Sequence, residues 1–219
     1  MTLDRYKHRL FGRTRGRSNK KINIEKYFEL LNKFRITNLN VSKKYILDIG
    51  SGYGETTIYL SKQYPRYTVI SCEKYIDGNL NLLKKINTEK ITNIRIHPGN
   101  VHNLLDNNDN KNYFELVWIF FPDPWPKKKH FKRRLITKEF LIKLYSFMKK
   151  NSKIFIVTDS ISYSRFILNN IYKVKKYYKF FNQNYLHLNY RNICDIETKF
   201  YKKAIISGKN PSLFILERI

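Results

Sequence analysis

Three glycines alternate directly after a short apolar run near residue 50. They are Gly50, Gly52 and Gly54, and Asp48 precedes them. Alternating glycines allow a tight turn in which the backbone approaches a ligand closely. A dinucleotide-binding turn would have its third glycine at position 55, which is Glu55, and that carboxylate would repel a pyrophosphate. The spacing therefore favours a cationic ligand without phosphates, with another nucleotide fold or a purely structural turn as the alternatives.

Two further polar residues follow later predicted strands. Glu73 ends the second predicted strand, where a carboxylate can accept hydrogen bonds from both ribose hydroxyls of an adenosine. A solvated surface glutamate is the alternative. Asn100 follows a Pro-Gly pair after the third strand, so its side-chain amide either reads an adenine edge or serves ordinary turn chemistry.

The segment 121–134 has the most unusual composition in the chain. Three prolines flank Asp123 and Trp125 and predict a rigid loop. A run of lysines and arginines follows over residues 127–134. A charge run is usually a solvated face, but this one adjoins a strand end where chemistry is expected. Trp125 either stacks on a base or closes the core beneath it.

Hydrophobic periodicity predicts the elements that position these residues. Apolar residues at helical spacing between 24 and 34 open the folded part. Strands are expected at 44–48, 68–72, 93–97, 116–121, 153–158 and 212–216, with a weaker candidate at 177–181, and helices at 55–63, 78–87, 137–149 and 161–172. This alternation predicts an α/β fold with a mostly parallel twisted sheet and helices on both faces. Ligands of such sheets bind at the carboxyl ends of the strands.

The composition limits the class of protein. The chain of 219 residues is 42% hydrophobic and 16% aromatic, which excludes disorder, collagen-like repeats and a disulfide mini-protein. We predict a basic, flexible arm over residues 1–22 and one domain over 23–219. The longest apolar run, 116–121, is too short to cross a membrane, so we expect a soluble, cytoplasmic protein.

The charge and the cysteines restrict the partners. Lys and Arg number 43 against 17 Asp and Glu, which gives a net charge of +26. A polyanionic partner explains clustered charge at 5–21 and 127–134, whereas compositional drift explains lysine-rich stretches such as 172–184. Cys72 and Cys194 form at most one bridge and lack metal-ligand spacing. We therefore expect a reducing compartment and no metal.

At Phe121–Lys127 and Lys132–Arg134 the sequence resembles the tRNA (guanine-N7-)-methyltransferase family, whose signature is F-P-D-P-W-x-K followed by a basic run ending in K-R-R. Thr158-Asp159 and Thr198-Lys199-Phe200 extend the resemblance, and the turn at Asp48 resembles motif I of the class I S-adenosylmethionine-dependent methyltransferases. The resemblance implies the Rossmann-like fold of that superfamily. It also implies methyl transfer from S-adenosylmethionine to N7 of the guanosine at position 46 in the variable loop of tRNA.

Site residues follow from the resemblance position by position. The cofactor-binding residues would be Asp48, Gly50, Gly52, Gly54, Glu73, Asn100 and Asp123. The substrate-binding residues would be Lys127, Asp159, Thr198, Lys199, Phe200 and Tyr201. The RNA-interacting residues of the basic run would be Lys129, His130, Phe131, Lys132, Arg133 and Arg134.

Some positions depart from the family pattern, and several roles stay open. Relatives commonly carry Glu at position 48, Asp at position 100 and Glu at position 201. Asp123 is the predicted catalytic residue, by stabilising a cationic guanine, by accepting from guanine N1–H and N2–H, or by binding the cofactor amine. The alternatives are methylation of another RNA or of a protein, and a non-catalytic RNA-binding protein with a vestigial cofactor pocket. We expect a monomer or homodimer without an obligate protein partner.

Overall fold

A computed structural model describes residue 14 and residues 24–109, 111–182 and 195–219. It divides into two compact units, residues 1–109 and 110–219. The predicted arm, 1–22, lies outside the described residues except for Thr14, whose carbonyl oxygen accepts a hydrogen bond from the Ile76 N–H at 2.9 Å. The single domain over 23–219 stays a prediction.

In its described part, the first unit contains three strands and four helices. They are α1 (Ile24–Phe34), β1 (Tyr45–Ile49), α2 (Glu55–Gln63), β2 (Thr68–Cys72), α3 (Ile76–Thr88), β3 (Ile94–His97) and α4 (Val101–Asp106). The strands are parallel in the order β3-β2-β1. Ile49 is the register partner of Cys72, and Cys72 is the partner of His97. The carboxyl ends of the three strands therefore lie side by side.

The core of the first unit is formed by the buried residues of its strands and by one face of each helix. All five residues of β1 are buried, as expected for a parallel strand that is covered on both faces. In α1, Tyr27 and Leu31 are buried whereas Phe28 is 48% exposed, so the helix packs through its 27/31 stripe.

Within residues 111–182 and 195–219, the second unit contains four strands, three α-helices and a 3₁₀ helix. They are β4 (Phe114–Phe120), the 3₁₀ helix (Lys128–Arg133), α5 (Lys138–Tyr145), β5 (Met148–Thr158), α6 (Ile161–Lys173), β6 (Tyr178–Phe180), α7 (Lys199–Ile206) and β7 (Ser212–Arg218). The strand order is β4-β5-β7-β6. β4 and β5 are parallel, and β7 is antiparallel to both β5 and β6. Most of the strand pairs within the two units are parallel, as predicted.

All seven predicted strands are present, but one predicted helix was too long. The helix expected over 137–149 ends at Tyr145, and strand β5 already begins at Met148. Met148 is the register partner of Phe114, and the Phe147 carbonyl oxygen accepts from the Phe114 N–H at 2.9 Å. Pairing with the neighbouring strand therefore overrides local helix propensity there. Sequence periodicity also missed α4 and α7.

Two composition-based expectations can be compared with the described residues. None of the helices there combines the length and apolarity that crossing a membrane requires. Cys72 is a buried free thiol, whereas Cys194 lies outside the described residues.

Asn182 extends the sheet beyond the edge strand β6. Its Nδ2 donates to the Leu213 carbonyl oxygen and its Oδ1 accepts from the Ile215 N–H, both at 2.8 Å. The side chain is 2% exposed, so these two bonds take the place of main-chain pairing to β7.

We expect Asn182→Ala to lower the free energy of unfolding by about 2 to 3 kcal/mol, because it leaves a buried N–H and a buried C=O without partners. Urea unfolding measures the change. Asn169→Ala, at an exposed position of α6, is the matched control and should stay within about 0.5 kcal/mol of the parent. Equal stabilities of the two variants would contradict this role of Asn182.

Candidate functional site

The glycine turn begins where β1 ends. Gly50, Gly52 and Gly54 have φ angles of 73°, 56° and 79°, in the left-handed region that favours glycine. A Cβ atom placed on Gly50 would have no atom within 4 Å, so open space borders the backbone there. A ligand can therefore approach the main chain at Gly50.

Asp48 lies beneath the turn rather than at its surface. It is 1% exposed, and its Oδ2 accepts hydrogen bonds from the hydroxyls of Thr56 and Thr57 at 2.6 Å each. Burial raises the pKa of Asp48 to about 6, although the two hydroxyl donors oppose the shift. This placement favours a role in fixing the turn against α2 over the predicted direct contact with a cofactor.

Glu73 accepts hydrogen bonds from two backbone N–H groups at the end of β2. Its Oε2 accepts from Gly52 at 2.9 Å and its Oε1 from Tyr75 at 2.8 Å. Burial raises the pKa of the Glu73 carboxyl, and these N–H donors partly offset the effect. A carboxylate has about four lone-pair sites, so each oxygen can accept another hydrogen bond. Glu73 is thus suited to the predicted pair of ribose hydroxyls.

The start of α3 supports the same turn, which sequence reasoning missed. A Cβ atom on Gly78 would lie 2.1 Å from the Gly52 carbonyl oxygen, so only glycine permits this approach of helix and turn. Asn79 donates from Nδ2 to the Glu73 carbonyl oxygen at 2.9 Å. The available signal was Gly78 itself, because an isolated glycine in a helical pattern often marks close packing.

Asn100 lies just after β3, as predicted, and begins α4. Its Oδ1 accepts from the His102 N–H at 3.1 Å and caps the helix. The neighbouring His97 ring is buried, with Nε2 3.1 Å from the Asn100 carbonyl oxygen. The amide oxygen therefore serves the helix, and adenine reading by Asn100 stays a prediction.

In the second unit, the proline-rich loop leaves β4 through a left-handed residue. Phe121 has a φ of 51° and Trp125 a φ of 43°, which is uncommon for residues with bulky side chains. The Phe121 N–H donates to the Val157 carbonyl oxygen at 2.8 Å, which anchors the loop to β5. Asp123, between these two residues, is exposed. Its carboxylate has neither a hydrogen bond nor a salt bridge within the described part of the chain.

The basic run presents lysines to solvent. Lys127, Lys128, Lys129 and Lys132 are exposed, so their ammonium groups are available to phosphates. Arg133 lies over the Trp125 ring, 5.0 Å from its centroid, and the His130 ring meets Trp125 edge-on at 5.8 Å. The chain itself therefore covers part of the Trp125 ring.

Arg134 departs from the predicted phosphate-facing role. The residue is 2% exposed, and its Nε donates to the Pro124 carbonyl oxygen at 2.9 Å. A guanidinium so buried within its own loop stabilises that loop instead of facing a partner. The half-buried Phe131 packs against the guanidinium at 3.7 Å.

Residues predicted to face the substrate have different surroundings. Phe200 is 51% exposed and stacks on Phe121, with ring centroids 6.2 Å apart. Thr198 caps α7, because its Oγ1 accepts from the Tyr201 N–H at 3.1 Å. Tyr201 is buried, at 8% exposure, which does not favour a stacking contact with a substrate. Of the segment 198–201, Phe200 is therefore the residue brought to the loop.

The remaining predicted substrate residues lie at the surface. Asp159 is half-buried, and its Oδ2 pairs with Lys209 Nζ at 2.8 Å. Lys199 is exposed on the first turn of α7. Among the described residues, no three His, Cys, Asp or Glu side chains come together as a metal site.

The sequence matches a family described as "Putative methyltransferase" over residues 42–212. The tRNA (guanine-N(7)-)-methyltransferase of Buchnera aphidicola subsp. Acyrthosiphon pisum (strain 5A) is 33% identical over 193 residues, which cover 85% of this chain and 80% of that protein. The enzyme of the same name from Nitrosomonas europaea is 39% identical over 123 residues, 56% of this chain and 55% of that protein. The match covers 53% of the enzyme of the same name from Paracoccus denitrificans, so the chain spans about half the length of these two relatives.

Solved structures resemble the fold. The 16S rRNA methyltransferase KamB aligns with a TM-score of 0.56 and 11% identity over 88% of this chain and 92% of that one. An rRNA methylase from Streptococcus thermophilus aligns with a TM-score of 0.52 and 12% identity over 92% and 99%. The predicted Rossmann-like methyltransferase fold is confirmed.

Asp48→Asn tests the buried carboxylate by its pH dependence. The folded-state pKa of about 6 lies above the ordinary value of 3.8, so the folded chain binds this proton more tightly than the unfolded chain. The stability of the parent relative to Asp48→Asn should be greatest at low pH and fall by up to about 3 kcal/mol as pH rises through 6.

Urea unfolding of parent and variant between pH 4 and 7.5 measures this difference. Asp106→Asn, at an exposed position, is the matched control. A difference between parent and Asp48→Asn that stays constant over this range would contradict the burial of Asp48.

Proposed function

The chain belongs to the methyltransferase family that includes the tRNA (guanine-N7-)-methyltransferases, and from this premise we propose that it methylates N7 of the guanosine at position 46 in the variable loop of tRNA. The methyl donor is S-adenosylmethionine, the cofactor of this family. We further propose that the protein acts in the cytoplasm, as a monomer or homodimer without an obligate protein partner.

Asp123 is the observation that carries this proposal. The protein has a net charge of +26, and four exposed lysines follow Asp123 within nine residues. Ion pairing would be easy in such surroundings, yet within the described residues the Asp123 carboxylate pairs with none of them. A carboxylate on a proline-restricted loop is available to a cationic or donor-rich group of a substrate.

The first unit suits S-adenosylmethionine. The open space at Gly50 would admit the methionine part close to the backbone, and the oxygens of Glu73, which already accept from two backbone N–H groups, would also accept from the ribose hydroxyls. Glu55 at the first turn of α2 disfavours a pyrophosphate there. A phosphate-free, cationic nucleoside fits these residues better than a dinucleotide does.

S-adenosylmethionine supplies an electrophilic methyl group on a sulfonium sulfur. Guanine N7 carries an in-plane lone pair and no proton, so no residue has to act as a base before attack. The task of the protein is to position the base and to stabilise the positive charge that develops on it. We assign the second task to the Asp123 carboxylate.

The exposed lysines of the basic run would hold tRNA phosphates. RNA helices are recognised mainly through shape and backbone contacts, which suits a row of flexible ammonium groups. Phe200, exposed beside Phe121, offers an aromatic face for an unstacked base.

Purified protein incubated with labelled S-adenosylmethionine and unmodified tRNA tests the proposal. Nucleoside analysis should find 7-methylguanosine, and a tRNA with adenosine in place of guanosine at position 46 should not be labelled. Label in another nucleoside or in protein would reassign the substrate. Binding of cofactor and of tRNA without any transfer would instead support a non-catalytic RNA-binding protein.

Asp123→Asn should lose about a hundredfold in the single-turnover rate with both substrates saturating, which corresponds to roughly 3 kcal/mol. The amide is nearly isosteric but lacks the charge and presents a donor. The melting temperature and the tRNA affinity should remain close to those of the parent. A folded, saturated variant within a few-fold of the parent rate would remove Asp123 from the catalytic residues.

The lysines of the basic run should contribute to the salt dependence of tRNA binding. Replacing Lys128 and Lys132 with Gln should reduce the slope of log affinity against log salt by about 0.7 to 0.9 for each phosphate that no longer has a lysine partner. The same change at Lys43 and Lys84, which lie outside the basic run in the sequence, is the control. If both double variants keep the parental slope, the charge of the basic run is compositional.

A further inference from the structure

The loop that carries Asp123 is held in a conformation that its own residues disfavour. Phe121 and Trp125, with φ angles of 51° and 43°, stand on either side of the Pro-Asp-Pro sequence. Left-handed backbone at bulky residues persists only where the surroundings fix it. Some other part of the second unit must therefore stabilise the loop.

Arg134 joins this loop to the first turn of α6. Its Nε donates to the Pro124 carbonyl oxygen at 2.9 Å. Its other end donates to Ser162, from Nη1 to the carbonyl oxygen at 3.1 Å and from Nη2 to Oγ at 3.0 Å. The planar guanidinium spans two segments that are 38 positions apart in sequence (124 and 162), which a lysine ammonium cannot do with the same geometry.

The guanidinium is enclosed by aromatic rings. It lies 3.7 Å from the centroid of Phe131 and 5.0 Å from those of Tyr163 and Phe166. Arg134 is 2% exposed, and no carboxylate among the described residues pairs with it. Because burying a charge without a counter-ion is costly, its hydrogen bonds and ring contacts must offset that cost. This enclosure leaves no face of the guanidinium for an RNA phosphate.

We propose that Arg134 is a positioning residue, which holds the Pro124 carbonyl and thereby fixes Asp123 in the geometry that methyl transfer requires. The inference rests on the proposed function. Arg134 acts through the loop and does not touch the base, the cofactor or the tRNA backbone. The basic run is accordingly divided, with exposed lysines facing the RNA and its last arginine facing the fold.

Arg134→Lys tests this role, because it keeps the positive charge and removes the planar guanidinium that bonds to both segments. The single-turnover methylation rate should fall about 10- to 100-fold, while S-adenosylmethionine affinity and the salt slope of tRNA binding stay as in the parent. Ser162→Ala, which removes the hydroxyl acceptor and leaves the Ser162 and Pro124 carbonyl acceptors in place, should act in the same direction by a smaller factor. Arg165→Lys, at an exposed position of α6, is the matched control and should match the parent.

Fluorescence of Trp125 reports how far the loop is exposed to water, and it does so independently of catalysis. The chain has two tryptophans, so subtracting the spectrum of Trp125→Phe isolates this emission. In Arg134→Lys and Ser162→Ala the emission should shift to longer wavelength as the loop opens to water, whereas Arg165→Lys should leave it unchanged. This measurement holds even if the parent methylates a different substrate, so failure of the proposed function and of the loop support can be distinguished.

Three results would overturn the proposal. The first is a parental methylation rate in Arg134→Lys and Ser162→Ala. The second is a salt slope in Arg134→Gln that is lower by about 0.7 to 0.9; this variant removes the charge that Arg134→Lys keeps, so a lower slope would make the arginine an RNA ligand. The third is unchanged Trp125 emission in Arg134→Lys and Ser162→Ala. If Arg134→Lys does not fold, the methylation rate and the Trp125 emission of Ser162→Ala decide, and parental values of both would overturn the proposal.

Discussion

Both candidate sites depend on a left-handed turn placed directly after a buried parallel strand. A buried strand of a parallel sheet has its backbone paired along its length, and the chain must change direction at once to present a residue at the carboxyl edge. β1 does this at Gly50 and β4 at Phe121, whose φ angles are 73° and 51°. The position of the functional groups is therefore set by how each unit satisfies one backbone constraint.

The two units satisfy this constraint by different means. At Gly50 the absence of a Cβ removes the steric cost, and buried polar groups complete the turn, with Asp48 tied to α2 and Glu73 tied to the Gly52 N–H. At Phe121 and Trp125 the cost remains, so side-chain contacts must compensate for it. The first turn leaves open space for a small ligand beside its backbone, whereas the second presents one carboxylate on a loop supported from below.

Much of this fold follows from sequence periodicity, and the differences have local physical causes. β2 and α2 have the predicted bounds because their apolar patterns are unbroken and end at turn residues. Residues 148–149 were predicted as helix but belong to a strand. The prediction was wrong because Met148 pairs with Phe114, a residue distant in sequence, and local periodicity does not show such pairing. The role of Arg134 could not be read from sequence, and Gly78 gave a signal of close packing without showing which residue it approaches. A run of cations does not reveal which one turns inward, and a close approach of helix and turn is a tertiary contact.

Charge is divided within the second unit according to what each group would meet. The lysines between residues 127 and 132 are exposed on long, flexible side chains, which suits phosphates that need attraction more than exact geometry. Asp123 carries the opposite charge. It lies on a loop whose backbone is restricted by prolines and by the hydrogen bond from Arg134. Attraction of a polyanion tolerates flexible donors, but stabilising charge on one reacting ring requires a group that does not reorient. Under the proposed function, the restricted loop at Asp123 and the exposed side chains of the lysines would each meet the requirement of the group that they bind.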